Sequence, residues 1–451
     1  MKSIQKISVI GQGHVGFPMS IVCASAKDRN GKKYFNVHGI EINNFKGQQI
    51  IEKVKKNKLP IDTEDKDLVN NFKKVNKNNY FISSNFDHIK DSEIIIISIS
   101  FDINKSQDLK NIKNLFLKIA KNIKKGALIF IETTLPPGMT DKILIKIVQK
   151  EFLKRKMIIE DISIAYSYER VTPGKDYYKS IKTFNRNYSG YNLKSKNLCK
   201  KFLIKILKKK KLINELDSII DCESSKILEN SYRALNIAFI DEWVKFSNMT
   251  NINLTKIIKS IRVRKTHQNL MSQGIGVGGY CLTKDPKFIQ FSSKNIFKLK
   301  NKFPLTLMSV SINKKMFESS VSFMNNQIKS YRNKKILILG FTYKEDVGDF
   351  RNSPSLLLAK YFKKKGAKVT LSDPFFKESK HEEFNCLKFS KRNNNKKFNI
   401  IIFCVRHKKI KTFDNFYKDK LYFDLNNVLK YEKIKKLLSK KINIHQLGSS
   451  F

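Results

Sequence analysis

The sequence predicts an α/β chain of two Rossmann-like, doubly wound parallel-sheet domains joined by a long central helix. Two short apolar runs, Ile7–Ile10 and Lys335–Leu339, lead straight into glycines, Gly11 and Gly340. Each opens an alternation of β-rich runs and helical segments, the pattern of parallel strands joined by crossover helices. Between the two series, the stretch from Cys222 to Asn248 holds neither Gly nor Pro, so a helix can run through it unbroken.

In chain order, the first series places strands at Ile7–Ile10, Val37–Ile40, Glu93–Ile99, Leu128–Glu132 and Ile162–Tyr166. The central helix carries apolar residues at helical spacing: Ile227, Leu228, Tyr232, Leu235, Phe239, Trp243 and Phe246. This reads as a core-facing side, with Asp221 as N-cap. A glycine-rich loop follows, Gly274 to Gly279, and then the second series, with further strands at Lys368–Leu371, Asn399–Val405 and Leu421–Asp424. The expected boundaries are 1–205 for the first sheet domain, 215–320 for the helical connector and 330–451 for the second sheet domain.

A chain of 451 residues with 41% hydrophobic content can build more than one core. No stretch reaches the roughly 20 apolar residues of a membrane span, and the apolar N-terminus reads as a strand, not a signal peptide. The six cysteines are scattered with no CxxC pair. That argues against a metal site or a disulfide framework and fits a reducing cytoplasm. The formal charge of +50 would attract polyanions. Lysine is spread along the whole chain, however, and the tight runs Lys208 to Lys211 and Lys363 to Lys365 read as solvated helix ends. A basic polyanion-binding protein therefore stands as the alternative outside enzymes; it leaves the motifs below unexplained, and no specific nucleic-acid signature accompanies the charge.

Gly11-Gln12-Gly13-His14-Val15-Gly16 is a GxGxxG directly after a strand and before a helix. Gly11 permits a tight turn, Gly13 admits a pyrophosphate, and Gly16 lets the helix pack on the strand, so that the helix N-terminus faces the phosphate. The second strand ends in Glu41. A carboxylate there accepts hydrogen bonds from ribose hydroxyls and repels a 2′-phosphate, which favours NAD over NADP.

Further segments follow in order: Glu132-Thr133-Thr134-Leu135-Pro136-Pro137-Gly138, then Tyr168-Glu169-Arg170-Val171-Thr172-Pro173-Gly174, then Lys226-Ile227-Leu228-Glu229-Asn230. After these come Gly278-Gly279-Tyr280-Cys281-Leu282-Thr283-Lys284-Asp285-Pro286, Gly340-Phe341-Thr342-Tyr343-Lys344 and Asp349-Phe350-Arg351-Asn352-Ser353-Pro354. As an ordered set covering essentially the whole chain, they resemble the UDP-glucose/GDP-mannose (nucleotide-sugar) 6-dehydrogenase family, closest to its UDP-N-acetylhexosamine branch. The resemblance implies NAD on the first domain, the nucleotide of a UDP-sugar on the last, and a homodimer built on the central helix. It also implies four-electron oxidation of a sugar C6 alcohol to the acid, for polysaccharide precursor synthesis.

Such a reaction needs two hydride removals, and the second requires a hydrate or a covalent adduct of the aldehyde. A thiolate supplies the adduct, and Cys281, after Gly278 and Gly279 whose missing side chains let a substrate approach, fits that role. The other cysteines sit in apolar or helical settings and read as structural. By resemblance, Lys226 and Asn230, four apart on one helix face, stabilise developing oxyanions. Asp285, Glu169 and Thr134 then join the proton relay with water. Ser100 and Thr134, with His14 and Val15, match cofactor-binding positions. Arg170, Arg262, Arg264, Gly278, Gly279, Tyr343, Lys344 and Arg351 match the substrate side, along with Glu169, Lys226 and Asn230. For Arg351 the competing reading is an ion pair with Asp346 or Asp349.

The chain departs from the family pattern at Tyr168 (usually proline), Tyr280, Glu41 (usually aspartate) and Ile97–Phe101. These departures bear on the sugar and the nicotinamide end. UDP-glucose or GDP-mannose therefore stays open as the alternative substrate, and a catalytically dead sensor is disfavoured by the retained Cys281, Lys226, Asn230 and Asp285.

Overall fold

The computed structural model describes residues 4–171, 174, 176–250, 252–376, 379–381, 383–390 and 395–449. Thr172 and Pro173 of the predicted substrate segment lie outside the described residues. The chain forms two compact units, Met1–Glu229 with Lys287–Lys302, and Asn230–Pro286 with Phe303–Phe451. Residues 215–320 are divided between them.

The first unit holds an eight-stranded sheet. Its strands are β1 (Gln5–Ile10), β2 (Phe35–Ile40), β3 (Tyr80–Ser83), β4 (Ile94–Ile97), β5 (Leu128–Ile131), β6 (Ser163–Tyr166), β7 (Arg186–Gly190) and β8 (Ile213–Glu215). Their order is β3-β2-β1-β4-β5-β6-β7-β8. All neighbours are parallel except β6 and β7. The strands are apolar on both faces because both faces are covered. In β4, Ile94 and Ile96 join one core while Ile95 and Ile97 join the other. In β5, Leu128 and Phe130 face the first and Ile129 and Ile131 the second. Each such side chain stabilises the fold by about 1.5–3 kcal/mol on burial, so an aspartate at Ile96 would break the first layer.

The second unit repeats the plan with seven strands in the order β11-β12-β10-β9-β13-β14-β15. They are β9 (Lys335–Leu339), β10 (Lys368–Asp373), β11 (Ser379–His381), β12 (Phe384–Lys388), β13 (Ile400–Phe403), β14 (Leu421–Asp424) and β15 (Asn443–Gln446). Only β11 and β12 are antiparallel. Again alternate residues divide between two cores, Ile336 and Ile338 against Leu337 and Leu339. In both units the order reverses beside the first strand. Ligands of such sheets bind outside the carboxyl ends of the strands at that switch point.

Three sequence expectations change. The sheets are not purely parallel, and β3, β7, β8, β11, β12 and β15 were not anticipated, since segments such as Arg-Asn-Tyr-Ser-Gly in β7 are not apolar runs. The central helix spans Ile219–Thr250. Ser218, not Asp221, precedes it: Asp221 accepts from the Ser218 amide at 3.0 Å and hydroxyl at 2.7 Å, while Ser218 Oγ accepts from the Asp221 amide, a reciprocal capping box. Finally, Leu228, Tyr232, Phe239, Trp243 and Phe246 are exposed, as is Met249. The side that packs inward carries Ile227, Ala234, Ala238, Ile240 and Val244. Helical spacing reveals that a stripe is apolar but not what covers it.

Candidate active site

The glycine turn after β1 is built as its spacing requires. Gly11 has φ +89°, and a Cβ there would lie 2.6 Å from the Ser98 carbonyl oxygen. A Cβ on Gly16 would lie 1.9 Å from the Gly11 oxygen, whereas one on Gly13 would meet nothing within 4 Å. Gly11 and Gly16 are thus glycines because the chain packs on itself, and Gly13 leaves the open space a pyrophosphate needs. Val15 precedes the helix Gly16–Ser25. Tyr177 donates to the His14 carbonyl. Glu41 lies just past β2, and its carboxylate accepts from the Gln12 amide at 2.7 Å and the Ile42 amide at 2.9 Å. That anchors it beside the glycine turn. These residues fit a dinucleotide. Ser100 is exposed beyond β4.

Behind this end, Arg186 and Glu132 form a buried ion pair at 2.6 Å. The second Glu132 oxygen accepts from Ser98 Oγ at 2.6 Å. Burial still raises the Glu132 pKa, opposed by the Arg186 charge. The loop that follows carries the half-buried Thr134. It is tied to the central helix by Glu223, which accepts from the Gly138 amide at 2.6 Å, the Thr140 amide at 3.0 Å and Thr140 Oγ1 at 2.7 Å. Burial pushes the Glu223 carboxyl up to about 8 despite these donors.

On the same unit, Lys226 is buried and donates to the Glu169 carbonyl at 2.9 Å. The Glu169 carboxylate turns back to accept from the Val171 amide. Arg170 pairs with Glu229 at 3.1 Å. The structure therefore brings Glu169, Arg170 and Lys226 together.

On the second unit, Cys281 is exposed, whereas Cys23, Cys199, Cys222, Cys386 and Cys404 are all buried. Desolvation raises the pKa of Cys23, Cys199, Cys222 and Cys404, which makes them poor nucleophiles. Cys281 begins a short helical turn, Cys281–Lys284, where a loop was expected. That turn carries the buried ion pair Lys284–Asp285 at 2.6 Å. Asn230 donates to the other Asp285 oxygen at 2.8 Å. Asp285 is thus fully buried between Lys284 and Asn230.

Gly278 and Gly279 also have a reason within the chain itself. A Cβ on either would lie within 2.7 Å of Tyr343 side-chain atoms. The glycines admit the chain's own tyrosine, with the loop held by Gly279 N–H to the Arg351 carbonyl and by Asn352 Nδ2 to the Gly279 carbonyl, both 2.8 Å. Burial raises the Tyr343 hydroxyl pKa to about 12. It lowers that of Lys344, with the Arg233 charge adding to the effect. Arg351 is in the competing arrangement: it pairs with Asp349 at 2.6 Å through Nη2, with Nε also within 3.0 Å. Arg262 is tied to its own loop through the Leu270 carbonyl and Ser272 Oγ. It borders a cavity of about 360 Å³ shared with Arg406, Gln273 and Asn427. Arg264 is exposed.

Sequence reasoning missed Arg186, Glu223, Lys284 and His407. The last, fully buried, holds the turn bearing Tyr343 and Lys344: its Nδ1 accepts from the Asp346 amide at 2.9 Å, and Nε2 meets Asp373 at 3.1 Å and Thr342 at 2.8 Å. A histidine four residues past the end of the apolar strand β13 was the signal for it. Among the described residues, no helix is long and apolar enough to cross a membrane, and no group of His, Cys, Asp and Glu could hold a metal ion.

Two switch-point sheets, a dinucleotide turn with an acid at the second strand, and a single exposed cysteine define an NAD-linked oxidoreductase. Comparison with known proteins is more specific. Residues 5–191 match the NAD binding domain of the UDP-glucose/GDP-mannose dehydrogenase family, residues 221–315 its central domain and residues 337–431 its UDP binding domain. The chain belongs to the UDP-glucose/GDP-mannose dehydrogenase family, and its cofactor is NAD. It is 29% identical over 388 residues to a UDP-N-acetyl-D-mannosamine dehydrogenase of Campylobacter jejuni, covering 84% of this chain and 88% of that protein. It is 27% identical over 446 residues to one of Methanococcus aeolicus, covering 95% and 93%. Among solved structures, a UDP-D-ManNAc dehydrogenase of Pyrococcus horikoshii has the same fold, with TM-score 0.78 at 24% identity over 99% of this chain and all of that one. So has a UDP-glucose dehydrogenase of Pyrobaculum islandicum, with TM-score 0.82 at 16% identity over 100% and 98%.

Proposed function

We propose that the chain oxidises the C6 alcohol of a UDP-N-acetylhexosamine to the uronic acid through a thioester on Cys281, in the synthesis of polysaccharide precursors. Two observations carry the sugar class: the Glu169-Arg170 segment, and relatives that are UDP-N-acetyl-D-mannosamine dehydrogenases over most of their length. The observation that carries the chemistry is the exposure of Cys281 alone among six cysteines. On this reading residues 1–205 hold NAD, 215–320 carry the cysteine loop and the dimer helix, and 330–451 hold the nucleotide.

NAD, when bound on Gly11, Gly13, His14, Val15, Gly16, Glu41, Ser100 and Thr134, supplies the hydride acceptor for both oxidations. The first converts the alcohol to an aldehyde, with loss of the hydroxyl proton. The Cys281 thiolate then adds to C6; a C–S bond forms and the oxygen takes a proton, giving a thiohemiacetal. Loss of hydride and of that proton leaves the thioester. Water adds to it, the C–S bond breaks, Cys281 recovers a proton and the carboxylate leaves.

The Lys226 ammonium and the Asn230 amide stabilise the oxyanions of these steps. Asp285, locked between Lys284 and Asn230, acts by orienting Asn230. Glu169 and Thr134 guide the water. Arg170, Arg262, Arg264, Gly278, Gly279, Tyr343, Lys344 and Arg351 form the nucleotide-sugar side, with Arg351 shared with Asp349.

The exposed stripe from Leu228 to Met249 supports a homodimer: a run of large apolar residues on one helix side marks an association surface. A thiol nucleophile, which works only in the reduced state, and an NAD requirement support the cytoplasm as its compartment.

A panel of UDP- and GDP-sugars with NAD, scored by NADH release, tests the substrate. UDP-N-acetylhexosamines should give the highest kcat/KM. A clear preference for UDP-glucose or GDP-mannose would overturn the sugar assignment and leave the chemistry intact.

A further inference from the structure

Tyr168, where this chain departs from the family pattern, sits at the centre of the Glu169–Arg170–Lys226 cluster and is 1% exposed. Lys226 Nζ lies 5.2 Å from the centre of its ring, and the Arg170 guanidinium carbon lies 5.3 Å from it. Both are within cation–π range. Its hydroxyl is held three ways: Arg170 Nη2 and Asn187 Nδ2 donate to it at 3.0 and 2.9 Å, and Ser225 Oγ lies at 2.9 Å. A phenol oxygen has one proton and two lone pairs, so this set saturates it and fixes the ring.

Lysine ends in a point charge on a flexible four-carbon stem. The bond from Lys226 to the Glu169 carbonyl sets one direction for the ammonium; the ring face supplies a second. Both Lys226 and Tyr168 are buried, and a cation–π contact strengthens when it is shielded from water. We infer that Tyr168 is a positioning residue for the Lys226 ammonium: its ring face sets the place of the cation, and its hydroxyl, clamped by Arg170, Asn187 and Ser225, sets the ring. Tyr168 need not touch substrate in this role. The inference rests on the reading that the Lys226 charge acts in turnover.

The test is a graded one, in the full-length enzyme with NAD and its best UDP-sugar. Tyr168→Phe keeps the ring but loses the clamped hydroxyl, so it should itself lower kcat, and it serves as the host in which the ring face alone is graded. Phenylalanines bearing one, two and three ring fluorines are then placed at the same position. Fluorine drains charge from the ring face while changing its size little, so the fold is preserved, which unfolding midpoints and NAD affinity check. The expected result is a stepwise fall in kcat with fluorine number, reaching about tenfold, while KM for NAD holds. The same series in a Lys226→Ala background should be flat. A flat series with Lys226 present, while Lys226→Ala is itself slow, would overturn the positioning role alone. Wild-type kcat in Lys226→Ala would overturn the reading of Lys226 and, with it, this inference.

Discussion

Replacing Arg186 with methionine leaves Glu132 buried without its partner. The two groups are 2.6 Å apart with side chains 2% and 1% exposed, so water screens neither. At an effective dielectric of about 20 the gross attraction is roughly 6 kcal/mol, and most of it offsets the desolvation of both ions. Removing one partner strands the other, at a cost of about 3–5 kcal/mol. That is a large share of the roughly 5–15 kcal/mol typical of a domain. The cost must depend on pH. Burial already raises the folded-state pKa of Glu132 against the Arg186 charge, and losing that charge raises it further. A carboxyl with a raised folded pKa favours the folded state at low pH, where it is neutral, and loses that advantage as pH rises through the folded value. The deficit of Arg186→Met should therefore widen from pH 5.5 to pH 8. Urea unfolding followed by circular dichroism at both pH values measures it, and Arg186→Met with Glu132→Leu should recover part of the loss. A single-variant deficit below about 1 kcal/mol, or one independent of pH, would show that Glu132 does not depend on the Arg186 charge.

Three further outcomes follow from the site. Glu223→Gln sets an amide donor against the Gly138 N–H and should cost about 1–3 kcal/mol at pH 5.5. Because burial holds the Glu223 pKa near 8, the wild-type advantage should shrink as pH rises toward 8; thermal unfolding midpoints across that range check the sign. With Glu41 anchored beside the glycine turn, NAD should exceed NADP in kcat/KM, and Glu41→Gln should narrow the ratio by about tenfold; equal use of both cofactors by the wild type would remove the assigned role. Trp243→Lys with Phe246→Lys should give monomers by light scattering with secondary structure intact, since both side chains are exposed; a wild type that is monomeric at micromolar concentration would contradict the dimer.

Much of this was legible in the sequence because backbone constraints leave marks. Gly11 and Gly16 stand where only a missing side chain allows the turn, and Gly13 where the space in front of the chain is open. The apolar runs of β1, β4, β5, β9 and β13 announce strands buried on both faces. What stayed hidden was tertiary. Glu223 looks like any helix glutamate until the Gly138–Thr140 turn lies against it. Arg186 sits in a strand with no apolar pattern. Gly278 and Gly279 stand out in the sequence while Tyr343 beside them does not, since a sequence shows that a side chain is missing and not what fills the space. The stripe from Leu228 to Phe246 was read as core because periodicity is the same on a face turned inward and on one turned outward.

A four-electron oxidation through a covalent bond to Cys281 leaves two traces, a cofactor yield and an enzyme adduct. The most direct measurement combines NADH yield per sugar consumed with mass spectrometry of the enzyme quenched during turnover, in wild type and in Cys281→Ser. Expected are two NADH per sugar acid, a sugar adduct on the Cys281 peptide of the wild type, and no acid from the variant, whose hydroxyl is far harder to ionise than a thiol of ordinary pKa about 8.5. Acid formation by Cys281→Ser at near wild-type rate, with no adduct on the wild-type enzyme, would contradict the covalent path and make a hydrated aldehyde the species oxidised.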